Sequence, residues 1–270
     1  DQLPTNRTIP NPLFKDFDTI PPYTTAEASK NGWILDVPLS NRRGTGYVYS
    51  SKFTTDQEAK EDFNQWLLKT HNVELASDRV ISFSNGYFKN LWIGNCVAMG
   101  LASGFVEPLE ATSIHHLITQ VDNFVRIYHG KNLAFDIENY NRLAEAIYEN
   151  SFKYIRFFYN TGRTDSEFWR YLNENKPDWL LRKEEKVKHS FITHRDIEDD
   201  RWMFESTSFN CIAYGHGMYK NNTRIEHFLR SQGVYGRAAR VSAEIRKIKQ
   251  SVESASVDHK QWIDKIKSTR

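Results

Sequence analysis

The chain has 270 residues, room for one large domain or two small ones with a buried core. Its 36 basic and 34 acidic side chains leave a net charge of +2, too small for a global field that would gather nucleic acid or an anionic membrane. No apolar run approaches the ~20 residues of a membrane-spanning helix, and no signal-peptide pattern opens the sequence. Cys96 and Cys211 are too few and too far apart for a disulfide framework or a CxxC metal pair, which points to a reducing, cytoplasmic setting. Asn6-Arg7-Thr8 and Asn221-Asn222-Thr223 match the glycosylation sequon, a pattern common by chance. The first residue is Asp1, as in a trimmed or processed polypeptide.

Residues 1–31 carry Pro4, Pro10, Pro12, Pro21 and Pro22, predicting an extended lead-in that crosses a surface and is neither helix nor central strand. Gly32 to Leu39 and Gly44 to Ser50 flank Ser40-Asn41-Arg42-Arg43 and read as a hairpin. Thr54 followed by Gln57 has capping-box spacing, and Ala59, Phe63, Trp66 and Leu67 fall on one face of the helix it would open. Arg79 to Phe83 and Leu91 to Ile93 read as short strands, with Asn85-Gly86 a turn between them.

Beyond about residue 110 the period becomes helical. Ile114, Leu117, Ile118, Val121, Phe124, Val125 and Tyr128 hold helical spacing, as do Ile137, Tyr140, Leu143, Ala144, Ile147 and Tyr148. Thr164 with Glu167 gives a second capping box, Pro177 marks a helix start, and Val241 to Lys249 is a charged helix with a solvated face. The expectation is an α+β chain, short strands followed by a mainly helical region.

The segment from Trp92 to Ile114 is the most informative, and its residues alone fit a packed strand-to-helix turn slightly better than a ligand site. Gly94, Ala98, Gly100, Ala102, Ser103 and Gly104 lack bulk, so backbone can approach a flat ligand closely. A helix beginning near Glu110 offers unpaired amides and partial positive charge to an anion, with Glu107 and Glu110 at the same end. The hydroxyls of Thr112 and Ser113 have the competing role of capping that helix.

Gly104-Phe105-Val106-Glu107-Pro108-Leu109-Glu110-Ala111-Thr112 resembles the signature of flavin-dependent tryptophan halogenases. The likeness extends back through Trp33 and Pro38 of Gly32 to Leu39, and through Arg43 to Ser50. It continues more weakly to Phe204-Glu205-Ser206 and Gly215. It implies the C-terminal half of a FAD-dependent monooxygenase-like halogenase fold. Residues 1–109 would be a sheet-rich part continuous with an absent FAD-binding domain, and residues 110–270 a helical substrate-side region.

The implied chemistry is halogenation of an electron-rich aromatic of tryptophan, indole or phenol type through hypohalous acid. The acid would be made from oxygen and halide on FAD supplied reduced by a separate flavin reductase. The resemblance places a catalytic glutamate at Glu110, halide-holding amides at Thr112 and Ser113, and flavin contacts at Leu101 and Ile114. Trp33, Pro38, Glu107 and Pro108 belong to its motifs.

Leu35 stands where the family pattern has a second tryptophan, a change that favours the rival reading of an aromatic hydroxylase. Ala111 replaces a common serine and Ser113 a common glycine, which sets a side chain beside the anion. No GxGxxG turn and no catalytic-lysine segment is present, so an N-terminal FAD-binding portion is an expected partner and this chain alone is expected to be inactive. A non-catalytic helical binding module is the second rival, and a homo-oligomer is left open.

No metal site is expected. His115 and His116 are adjacent on a helix and point about 100° apart. His189, His194, His216 and His227 lack metal-motif context and are assigned structural or surface roles. Trp202, Phe204 and Phe209 are assigned to core in preference to an aromatic pocket.

Overall fold

The computed structural model describes residues 2–15, 17–197, 203–220, 222–231 and 233–269. Five strands form one antiparallel sheet: β1 (Arg7–Leu13), β2 (Thr25–Ser29), β3 (Gly32–Pro38), β4 (Arg43–Tyr49) and β5 (Ile81–Ser82). Their order is β2-β3-β4-β1-β5. The expected hairpin is β3 and β4, paired from Gly32 opposite Tyr49 to Pro38 opposite Arg43, and closed by the Leu39 amide donating to the Arg42 carbonyl at 2.9 Å. Gly32 is obligatory in that register, because a Cβ there would strike the Val48 carbonyl and lie 2.8 Å from Tyr49 Cα.

Helix α1 (Asp56–His71) lies on this sheet, burying Ala59, Phe63 and Leu67 against Ile9, Leu13, Ile34, Tyr47 and Tyr49. Its capping box is formed by Thr55 with Glu58, one residue later than the Thr54 and Gln57 pair expected. The lead-in expectation also needs correction, since β1 is an internal strand paired to β4 along its whole length. β5 covers it only at Arg7 and Thr8, so Pro10 and Pro12 fall where β1 is itself the sheet edge and proline is tolerated.

Two small ladders follow. β6 (Gly86–Tyr87) pairs with β9 (Gly104–Phe105), and β7 (Trp92–Ile93) with β8 (Cys96–Val97). Asn85-Gly86 is therefore no free turn. Asn85 donates to the Thr5 carbonyl at 2.7 Å, and Gly86 opens β6.

The helices are α2 (Thr112–Ile127), α3 (Leu133–Phe158), α4 (Glu167–Glu174), α5 (Asp178–Val187), α6 (Ser206–Gly215), α7 (Thr223–Ser231), α8 (Tyr235–Ala255) and α9 (His259–Ser268). Ser166, and not Thr164, caps α4, accepting from the Trp169 amide. Pro177 is the N-cap of α5, as expected of a residue that needs no amide partner. One core unites strands and helices across residue 110, with Trp33, Val48, Trp92 and Val106 against Tyr140, Ala144, Tyr148 and Trp169. A second gathers Tyr154, Phe157, Leu180, Phe204 and Phe209.

Helix α2 is inverted. Thr112, His116, Gln120 and Ile127 are buried, whereas Ile114, Ile118, Val121 and Val125 stand exposed. The helical period was correctly read, but its apolar stripe faces away from this chain's core. In α8 the basic residues are solvated as expected, and Val241, Ile245, Ile248 and Val252 are exposed as well. Among the described residues no helix is long and apolar enough to cross a membrane.

Candidate functional site

The turn joining β9 to α2 holds the candidate site residues Glu107, Pro108 and Glu110 and leads into Thr112 and Ser113. Val106 and Leu109 anchor it in the core on either side of Glu107. Pro108 then starts a single 3-10 turn, Leu109–Ala111, and the Ala111 amide returns to the Pro108 carbonyl at 3.0 Å. Glu110 (φ 69°) and Ala111 (φ 51°) are both left-handed. Two successive non-glycine residues in this region cost roughly 1–2 kcal/mol each, a strain that persists only where surrounding structure imposes it.

Glu107 supplies that structure. Its fully buried carboxyl accepts from the Thr5 hydroxyl at Oε2, and from Trp33 Nε1 (3.1 Å) and the Tyr159 hydroxyl (2.6 Å) at Oε1. Its amide donates to Asn85 Oδ1 at 2.7 Å. Burial pushes this carboxyl up to about 7, against the opposing pull of the three donors. The lead-in, β3 and the end of α3 are thereby tied to the residue three positions before Glu110.

At the start of α2 no side chain caps the helix. The capping role open to Thr112 and Ser113 is thus not taken, and the first-turn amides keep their donor capacity and partial positive charge. Thr112 is buried and Ser113 partly so. Below them, Gln120 accepts from the Gly100 amide and donates to Ser103, both at 2.8 Å, and Ser103 meets the Tyr148 hydroxyl. His116 lies 2.8 Å from Ser151 and edge-on to Tyr148, and burial lowers it to about 4, so it stays neutral. This polar network fixes the rotation of α2 and turns its apolar stripe outward. Leu101 and Ile114, 74% and 72% exposed, stand on that outer side.

Glu110 looks elsewhere. Its carboxyl is exposed, held above its usual value by partial desolvation, and lies close enough to Tyr154 of α3 to help raise that phenol, after burial, the larger cause. Tyr154 stacks on Phe204 with 3.7 Å between centroids and meets Phe209 edge-on. Both phenylalanines are core, as expected, and Trp202 lies outside the described residues.

The structure brings Trp33, Glu107, Pro108, Glu110, Thr112 and Ser113 into one neighbourhood. Pro38 is not part of it, standing five residues along β3 from Trp33, about 17 Å at ~3.3 Å per residue. Thr5, Asn85 and Tyr159 were missed, since none belongs to a motif and each reaches Glu107 from far along the chain. His189 pairs with Glu185, and His194 opens a 3-10 turn. Asn6 of the first sequon is engaged by Ser51 through both side-chain atoms, and Asn221 of the second lies outside the described residues.

Comparison with known proteins adds sequence and fold relatives. The tryptophan halogenase family profile matches residues 1–230. The tryptophan 7-halogenase RebH of Lentzea aerocolonigenes is 31% identical over 75% of this chain and 41% of its own length. The tryptophan 6-halogenase ThaL of Streptomyces albogriseolus is 30% identical over 75% and 40%. The solved structure of BrvH, a flavin-dependent halogenase from Brevundimonas sp. BAL3, superposes with a TM-score of 0.79 at 26% identity, covering 97% of this chain and 52% of that one. A tryptophan halogenase structure from Shewanella frigidimarina reaches 0.85 at 23% identity, a likeness of fold. The chain spans about two fifths of the length of these curated relatives.

Proposed function

The chain belongs to the tryptophan halogenase family, and from that premise we propose that it forms the C-terminal half of an enzyme halogenating an electron-rich aromatic of tryptophan, indole or phenol type. The observation that carries the reading is the doubly left-handed turn at Glu110-Ala111, which sets a partly desolvated carboxyl beside the uncapped end of α2. An anion finds donors at the amides of Thr112 and Ser113. Glu110, turned toward the aromatic cluster of α3 and α6, takes the ring proton or balances charge on the halogenated ring.

The residues present fit the required groups. Leu101 and Ile114 offer exposed apolar surface to a flavin ring next to the anion site, and the small residues from Gly100 to Gly104 let backbone approach it. Reduced FAD, when bound, supplies the oxygen chemistry that converts halide to hypohalous acid, and a separate flavin reductase supplies the reduced cofactor. The dinucleotide-binding portion packs on the outward stripe of Ile118, Val121 and Val125, which continues the Leu101 and Ile114 surface. In this division residues 1–109 join that portion and residues 110–270 face the substrate, in a cytoplasmic protein. The weakening of the resemblance in the helical half supports a substrate range wider than free tryptophan.

The test is Glu110→Gln in the full-length protein. Halogenation of an indole should fall by ~10²-fold or more, the usual worth of a general acid or base, with FAD affinity and hypohalous acid output nearly unchanged. Loss of FAD binding without a separate effect on the aromatic step would overturn the assignment.

A further inference from the structure

Helix α8 follows the residues matched by the family profile, and its own chain gives it little cover. Among its described side chains, from Tyr235 to Ala255, all are exposed except Ala243, which is partly so. A lone helix of this length is marginal in water, because most helices draw their stability from packing an apolar face. α8 has such a face. Val241, Ile245, Ile248, Val252 and Ala255 are spaced four, three, four and three residues apart, all of them exposed.

That spacing is a heptad seam, with Ile245 and Val252 at a positions and Val241, Ile248 and Ala255 at d positions. The seam is narrow, as in a coiled coil, whereas docking on a globular surface uses a wider apolar stripe. Ser242, Glu244, Lys249 and Ser251 flank it, and Arg246 and Lys247 lie at outer positions. The flanking charges decide the direction. In two parallel copies in register, Glu244 of each faces Lys249 of the other, an attraction made twice. In an antiparallel pair with the same seam, Glu244 faces Glu244 and Lys249 faces Lys249. Lys249 also reaches Glu253 of its own helix at 3.7 Å, an exposed contact worth little.

We propose that α8 is the surface through which copies of this chain associate, side by side and parallel, each burying the seam of the other. β-branched side chains at both a and d positions suit three strands as well as two. A helix that lies on an anionic bilayer sets Trp, Phe or Leu on its apolar face, and α8 has none of these. Association gives α8 the packing that it lacks within one chain. The inference stands apart from the halogenase reading, since it uses residues outside the motif and is measurable without turnover.

The experiment is light scattering of the full-length protein over a dilution series. The mass should be that of two or three chains at high concentration and should fall toward one chain on dilution. Ile245→Glu, at an exposed position, should give one chain throughout and melt at the temperature of dilute wild type, which shows an intact fold. Glu244→Lys and Lys249→Glu should each weaken association by about tenfold, and an equal mixture of the two should recover it, because the facing charges are again opposite. Lys249→Gln should also weaken association, and tighter association in that variant would mean an antiparallel seam and overturn the proposal. A single chain at every concentration overturns it too, as does an oligomer that survives Ile245→Glu unchanged. A single chain that sediments with phosphatidylserine vesicles, and no longer does so in Ile245→Glu, would assign the seam to a membrane surface instead.

Discussion

Glu107 has no room for error, and its titration can be followed in stability alone. The carboxyl is fully buried and pushed up to about 7 from an ordinary 4.5. Between those values the folded state holds a proton that the unfolded chain releases, so stability falls as pH rises from about 4.5 and levels above about 7. At ~1.36 kcal/mol per pH unit this is a loss of about 3 kcal/mol. Glu107→Gln should remove that slope without rearranging the site. Its Oε1 can keep the donors Trp33 and Tyr159, and its amide can give a hydrogen bond to Thr5, whose hydroxyl turns to accept it. Glu107→Ala leaves the Trp33 and Tyr159 donors buried without partners and should cost about 3–5 kcal/mol at every pH. Urea melts of wild type and both variants from pH 5 to 8 provide the measurement, with the wild type losing about 3 kcal/mol relative to Gln across the range. A constant difference between wild type and Gln would refute the assignment of this titration to Glu107.

The other expectations concern the site and its frame. In crystals soaked with bromide and flavin, anomalous density should appear within hydrogen-bonding reach of the Thr112 and Ser113 amides, and an anion bound elsewhere would discard the helix end as the halide site. Val121→Asp and Val125→Asp should leave far-ultraviolet circular dichroism unchanged, because both side chains are exposed here, while weakening FAD retention by full-length protein at least tenfold. Unaltered retention would remove the dinucleotide-binding portion from that face. Gly32→Ala should destabilise by about 3 kcal/mol in urea melts, since the new methyl meets backbone of β4 that cannot move aside. A panel of free tryptophan, indoles and phenols should show turnover of several classes, and exclusive use of free tryptophan at one ring position would overturn the broad-range reading.

Local signals carried much of this protein in its sequence. The β3–β4 hairpin, the apolar face of α1, the helical period of α2 and α3, and Pro177 at the head of α5 all depend on residues a few positions apart, where spacing is conformation. The motif from Gly104 to Thr112 identified the family because its residues are contiguous. Caps were misplaced by one or two residues at α1 and α4, because neighbouring Thr and Ser compete for one role and the chain's path selects the winner.

What only the tertiary structure decided is what distant residues do together. β1 is an internal strand despite two prolines because β5 covers only its first residues. The helical spacing of α2 did not say which way its apolar stripe faces, and Gln120, Ser103, Tyr148, His116 and Ser151 form a polar network that turns it outward. Glu107 reads in sequence as a motif carboxylate favoured by a helix end. Its ties to Thr5, 102 residues away, and to Trp33, 74 away, make it the anchor of the turn that strains Glu110. Hydrogen bonds of that span leave no periodic trace in a sequence, since any segment long enough to return can bring the donor.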